Sequence, residues 1–153
     1  MKAVLLRVGR GRTAWADAGV EDYARRLTRM KYEEKLLKPA PFRGDVDAVR
    51  AEEAGRILKQ VRAGDRLITL DERGETMSTE ALAEIVRGAA RASTRRLVFA
   101  IGGPYGHGPL VRQRAHTVLS LSGMVLNHEL ARVLLVEQLY RVSTILWGGS
   151  YHH

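Results

Sequence analysis

Residues 95–108 read RRLVFAIGGPYGHG: an apolar run from Leu97 gives way to a loop of four glycines, one proline and one histidine. A short apolar run closed by such punctuation reads as a buried strand. The glycines after it admit close approach of a ligand or of other backbone, at a cost in conformational entropy. Working outward, the same alternation recurs. KAVLLRVG from Lys2 reads as a strand, and Trp15, Val20, Tyr23, Ala24 and Leu27 fall at helical spacing. KYEEKLLK is a polar strand, PAPFRGD a turn-rich loop with Arg43 at its tip, and Ala51, Ala54, Leu58 and Val61 again recur at helical intervals. DRLITL reads as a buried strand, and Ser78 offers an N-cap for a helix through Leu82, Ile85, Val86 and Ala89. Beyond the glycine loop come a short strand, TVLSL, a small loop, SGMVLN, and a helix from about His128 to Val142. Strands separated by helices predict an α/β fold, a mostly parallel sheet flanked by helices, as one domain over residues 1–153.

Composition narrows the chemistry. Cysteine is absent, which excludes disulfides, cysteine zinc sites and thiolate catalysis. The apolar run before Arg7 is too short for a signal peptide and no stretch approaches a membrane span, so the sequence reads as soluble and cytoplasmic, without a membrane partner. The formal charge is +8, and of 25 basic residues only those at positions 2, 31, 35, 38 and 59 are lysine. An arginine-rich excess favours a phosphate-bearing polyanion, because the guanidinium grips phosphate at two points and stacks on bases; compositional bias is the bland alternative.

In open α/β sheets ligands bind where loops leave the carboxyl ends of strands. Three loops have that placement: LDERGET from Leu70, GGPYGHG from Gly102 and LSGMVLN from Leu121. The glycines from Gly103 to Gly108 run G-x-x-G-x-G, so the dinucleotide fingerprint is not met, and no G-K-[ST] Walker loop occurs. The five histidines form no H-E-x-x-H, His128 beside Glu129 reads as a helix start, and no metal is expected. Generic motifs leave the chemistry unnamed.

Four ordered segments, LDERGETMSTEALA, FAIGGPYG, LSLSGMVLNHELARVLLVEQLYR and the terminal YHH, resemble the ribosomal RNA large subunit methyltransferase H family of the SPOUT superfamily over essentially the whole chain. The resemblance implies a trefoil-knotted fold, a homodimer, and S-adenosylmethionine-dependent methylation at N3 of a pseudouridine in 23S ribosomal RNA, free or in the ribosome. It places the cofactor against Leu70, Gly102, Gly103 and the run Leu121, Ser122, Gly123, Met124, Val125 and Leu126. The chain departs from the family pattern where NHEL stands for P-H-P-L, so that Asn127 and Glu129 replace prolines, and where YHH ends in His153 in place of arginine.

Methyl transfer from a sulfonium to a ring nitrogen requires in-line placement and removal of a proton, and placement carries most of the rate. The candidate bases are His152, Glu137 and His128. His152 is preferred, with Tyr151 beside it to stack on or bond a flipped base, and Arg132 and Arg141 as cations in place of the missing arginine. Glu137 and Arg141, one helical turn apart, form an ion pair in the structural alternative. Arg43, Arg132 and Arg141 are the candidate RNA contacts. The apolar residues of ARVLLVEQLYRV cover more than one helical face, which fits burial against both a sheet and a second subunit. Two other functions stay open: a non-enzymatic RNA- or ribosome-binding module, and the same fold modifying another nucleotide.

Overall fold

A computed structural model describes residues 1–9 and 13–152. Its elements alternate along the chain: β1 (Lys2–Val8), α1 (Ala14–Arg26), β2 (Lys31–Leu37), α2 (Val46–Leu58), β3 (Arg66–Thr76), α3 (Thr79–Arg91), β4 (Arg96–Ile101), α4 (Pro109–Arg114), β5 (Thr117–Ser120) and α5 (His128–Trp147). The strands form one sheet in the order β2-β1-β4-β3-β5, and every pairing is parallel. The pattern read from the sequence is therefore present, with α4 and the last five residues of α5 added. Val61 lies just past α2.

Strand period sorts the core onto two faces. In β1, Ala3 and Leu5 join α1, α3 and α5 through Val20, Leu82, Val86, Leu135 and Leu139, while Val4, Leu6 and Val8 join α2 and α4 through Ala54, Ile57 and Val111. In β4 the same division puts Leu97, Phe99 and Ile101 on the first face and Val98 and Ala100 on the second. Burial on both faces is why the central strands read as unbroken apolar runs rather than alternating ones. Helix starts are fixed locally: Asp45 accepts from Asp47 N and Ala48 N, and Ser78 accepts from Ala81 N as its position predicts. Asn127 caps α5 by accepting from Leu130 N at 2.8 Å, so the asparagine that replaces a family proline still begins the helix.

Where β3 meets β5 the sheet departs from regularity. Pairing runs from Ile68↔Thr117 to Leu70↔Leu119, then resumes at Glu75↔Leu119, so one residue of β5 is opposite two of β3. LDERGET is thus not a plain loop leaving Leu70: it carries a bulge over residues 71–74 and then continues the strand. A Cβ on Gly74 would lie 2.6 Å from the Val118 carbonyl oxygen, so only glycine lets the bulge pass this close to β5.

Candidate active site

The carboxyl ends of β3, β4 and β5 open onto a cleft of about 430 Å³. Its walls include Leu70, Gly102, Gly103, Leu121, Ser122, Met124, Val125 and Leu126, eight of the nine residues that the resemblance assigns to a cofactor. Gly123 stands in the same loop, exposed and outside the lining. Leu119 and Ile101 close the apolar floor, while Ser120 and Ser122 shape the β5–α5 loop: Ser120 donates to the Ser122 carbonyl at 2.8 Å, and the Ser122 hydroxyl accepts from Met124 N at 2.9 Å.

The glycine loop is held by its own backbone. Gly106 N donates to the Gly103 carbonyl at 2.9 Å, closing a turn with Pro104 at its second position, and Gly106 takes φ +71°. A Cβ on Gly102 would sit 2.8 Å from the carbonyl carbon of Gly106, and one on Gly103 would sit 2.6 Å from a carboxylate oxygen of Glu53. These two glycines are required first by protein atoms, and the ligand inherits the space they leave. Glu53 lies on α2, buried, with Oε1 accepting from Ala40 N at 3.0 Å. Nothing in AEEAG distinguishes it from a solvated helix face, so sequence reasoning passed it over.

A cluster at the rim ties the β3 bulge to the glycine loop. Arg73 bonds both oxygens of Asp71 at 2.9 and 3.0 Å, and the His107 carbonyl accepts from Arg73 at 3.1 Å and Arg112 at 2.7 Å. Burial would raise the Asp71 carboxyl, but the Arg73 bonds outweigh it and hold the group below the usual carboxylate range. His107 itself is buried, with Nε2 3.1 Å from the Ala100 carbonyl, and burial holds its pKa below the ordinary histidine value. Asp71, Arg73, Gly74 and His107 were not singled out from the sequence. Gly74 carried the one available signal, a glycine inside a strand pattern.

The five candidate catalytic residues divide into two places. His128, the first residue of α5, lines the cleft, and burial lowers its pKa against the opposing pull of Glu129 and Glu53. Glu137, Arg141, Tyr151 and His152 stand elsewhere. Glu137 and Arg141 begin nine residues further along α5, roughly 14–20 Å from His128 at 1.5 Å per residue. They form the ion pair of the structural alternative, at 2.6 Å. Tyr151 folds back onto them: its hydroxyl lies 3.2 Å from Glu137 and 3.3 Å from the Tyr23 hydroxyl, with the Arg141 guanidinium 4.6 Å from its ring centre. The Tyr23 bond, burial and the Glu137 charge push its phenol up to about 12, so at neutral pH Tyr151 is a protonated donor, not a base. His152 Nε2 lies 2.9 Å from Glu80 at the start of α3. His153 is outside the described residues.

Arg132 needs correction as an RNA contact and as a replacement cation. It is 3% exposed and bonds Asp17 at 2.6 Å, Glu34 at 3.0 Å and Glu129 at 2.6 Å, so its charge is spent inside the protein. Helical periodicity placed it on α5 but could not show that carboxylates from α1 and β2 join Glu129 of its own helix there. Glu129, the second departure from a family proline, also accepts from Arg7 at 3.2 Å. Arg43, by contrast, stands exposed in the β2–α2 loop. Among the described residues no three histidine, aspartate or glutamate side chains gather as metal ligands, and no helix is long and apolar enough to cross a membrane.

A family model described as "Predicted SPOUT methyltransferase" matches residues 1–152. The chain is 40% identical over 153 residues to the ribosomal RNA large subunit methyltransferase H of Geobacter sp. (strain M21), covering 100% of this chain and 99% of that one. It is 42% identical over 148 residues to the protein of the same name from Synechococcus sp. (strain RCC307), covering 97% and 92%, and 38% identical over the full length of both chains to that of Geotalea daltonii.

Proposed function

The chain belongs to the SPOUT methyltransferase family, and from that premise we propose that it transfers the methyl group of S-adenosylmethionine to N3 of a pseudouridine in 23S ribosomal RNA, as a single-domain homodimer in the cytoplasm. The observation that carries this reading is the cleft, in which the β3 bulge, the glycine loop and the β5–α5 loop converge on one pocket with an apolar floor and a polar rim. We read the fold as trefoil-knotted, as membership of the family implies.

The pocket fits the cofactor in size and character. A volume of about 430 Å³ falls within the range of small-molecule sites. Leu70, Leu121 and Leu126 supply apolar walls for the adenine, while the amides and carbonyls of residues 120–126 and 102–103 can bond its edge. When bound, the cofactor supplies an electrophilic methyl on a sulfonium. What remains for the protein is to align the attacking nitrogen and to accept its proton. His128 is the base within the cleft, and its lowered pKa keeps it neutral and able to take a proton at pH 7.

Tyr151, His152 and Arg141 then enter the reaction from a second subunit, since in their own chain they are held at the middle of α5 and the start of α3, outside the cleft lining. The dimer reading draws support from Met124 and Val125, each 78% exposed, and Leu130, 47% exposed, a cluster of bare apolar side chains around the start of α5. The +8 charge suits an RNA substrate.

Calorimetric titration with S-adenosylmethionine is the first test, followed by methyl transfer to 23S ribosomal RNA with and without its pseudouridines. Stoichiometric binding and transfer only to the pseudouridine-bearing RNA are expected. RNA binding without cofactor binding favours the non-enzymatic module, and transfer to both RNAs favours another target nucleotide.

A further inference from the structure

Beside the cleft the β2–α2 loop does something the cofactor site does not require. Phe42 is 56% exposed, and its ring lies 5.6 Å from that of Tyr105, inclined by 32°, with Tyr105 itself 39% exposed and lining the cleft. An exposed phenylalanine ordinarily finds cover. Here the loop denies it: Pro39 and Pro41 restrict the backbone on either side of Ala40, and Ala40 N is fixed by the buried Glu53 carboxylate. The Tyr105 end is fixed as well, because Arg50 donates to its carbonyl at 2.9 Å. Two aromatic rings are thus held open to solvent at the mouth of the pocket.

The surroundings say what kind of surface would cover them. Arg43 follows Phe42, exposed and with no ion-pair partner among the described residues, and Arg73 stands half-exposed at the rim. Arg50 is shared with Asp47 at 3.4 Å. Aromatic faces beside guanidinium groups fit a nucleotide: the base stacks on the rings and its phosphate meets the cation, an arrangement that tolerates any base because every base has a π face. We propose that Phe42 and Tyr105 form a stacking shelf for one nucleobase of the RNA substrate, adjacent to the methylated nucleotide, with Arg43 holding the neighbouring phosphate. The proposal rests on the RNA methyltransferase reading and adds to it a named contact for the strand outside the catalytic pocket.

The test measures equilibrium binding of a labelled 23S ribosomal RNA stem-loop, chosen as the fragment that the parent binds most tightly, to the parent, Phe42→Ala and Phe42→Trp. Parallel measurements cover S-adenosylmethionine affinity and sedimentation. Phe42→Ala should weaken RNA binding about tenfold, the ~1.4 kcal/mol that lies within the range of one base–aromatic stack. Cofactor affinity, oligomeric state and the salt dependence of binding should not move, and Phe42→Trp should restore affinity. A scan of single abasic positions supplies the specific signature: one position weakens binding to the parent and adds nothing to Phe42→Ala. Unchanged RNA affinity in Phe42→Ala overturns the shelf and leaves the methyltransferase reading standing. A change in oligomeric state overturns it in favour of a contact between two copies of the chain. If Phe42→Ala loses RNA affinity in a protein that binds no cofactor, the shelf stands and the methyltransferase reading falls.

Discussion

Two histidines at the cleft are neutral for the same reason, and the reason makes a pH prediction. Burial is the chief cause that lowers both His107 and His128, since a cation in that position loses hydration. In the unfolded chain each takes its proton near pH 6.5, whereas in the folded chain each resists until lower pH. Between those values the unfolded state binds more protons, so stability falls as pH falls through about 6.5 and the loss ends below the folded pKa values. Denaturant unfolding at pH 7.5, 6.5 and 5.5 should show that decline. Replacing His107 with glutamine, whose amide nitrogen can still donate to the Ala100 carbonyl, should flatten it. An equal slope in the two proteins would mean that another group is responsible. His128 adds a catalytic counterpart: methyl transfer should fall with its protonation, at a pH below that of an ordinary histidine.

At the scale of elements, the contact between β3 and β5 sets the pocket. Gly74 touches the Val118 carbonyl where a Cβ would stand at 2.6 Å, against backbone that cannot rotate away. Gly74→Ala should therefore push the bulge off β5, displace Leu70 and Leu119 from the cleft floor, and weaken S-adenosylmethionine binding at least tenfold. A lowered melting temperature should accompany the loss, since overpacking costs about 1–3 kcal/mol. Gly88→Ala is the control, because its Cβ would meet open space on α3, outside the cleft. Parent-like cofactor affinity in Gly74→Ala would show that the contact of the bulge with β5 does not shape the pocket. This is also where the sequence stopped being legible. The order of the strands and of the four longer helices, the glycine loop and the β5–α5 loop follow from periodicity and punctuation, because those signals are local. The bulged pairing of β3 with β5 joins segments more than forty residues apart, and a single glycine in DERGET is its only trace. Arg132 failed for the same physical reason, since Asp17 and Glu34 reach it from distant parts of the chain. The eight cleft residues that the resemblance assigns to a cofactor were legible through that resemblance, not through spacing.

For the whole molecule, the position of the tail decides how many chains one active site needs. Tyr151 packs on Tyr23, Tyr140 and Glu137 of its own chain, at the middle of α5, while the cleft lies at that helix's first turn. On the proposed dimer, each cleft is completed by its partner's tail, and that arrangement can be separated from a tail that only stabilises its own helix. Deleting residues 151–153 should leave folding and cofactor affinity intact and lower methyl transfer by about 10²-fold, the usual effect of losing a positioned acid–base or orienting group. Leu121→Arg should abolish transfer by a different route, placing a charge in the apolar cleft wall while keeping the tail. Alone, the truncated protein should keep about a hundredth of the parent activity and the substituted one none. After the two are mixed and allowed to exchange subunits, a mixed dimer holds one intact cleft from the truncated chain and one intact tail from the substituted chain. Activity should then return toward a quarter of the parent level, half of the dimers being mixed and each carrying one complete site. No recovery, with subunit exchange verified by sedimentation of differently labelled chains, would place the tail's action within its own chain and leave the dimer without a catalytic role.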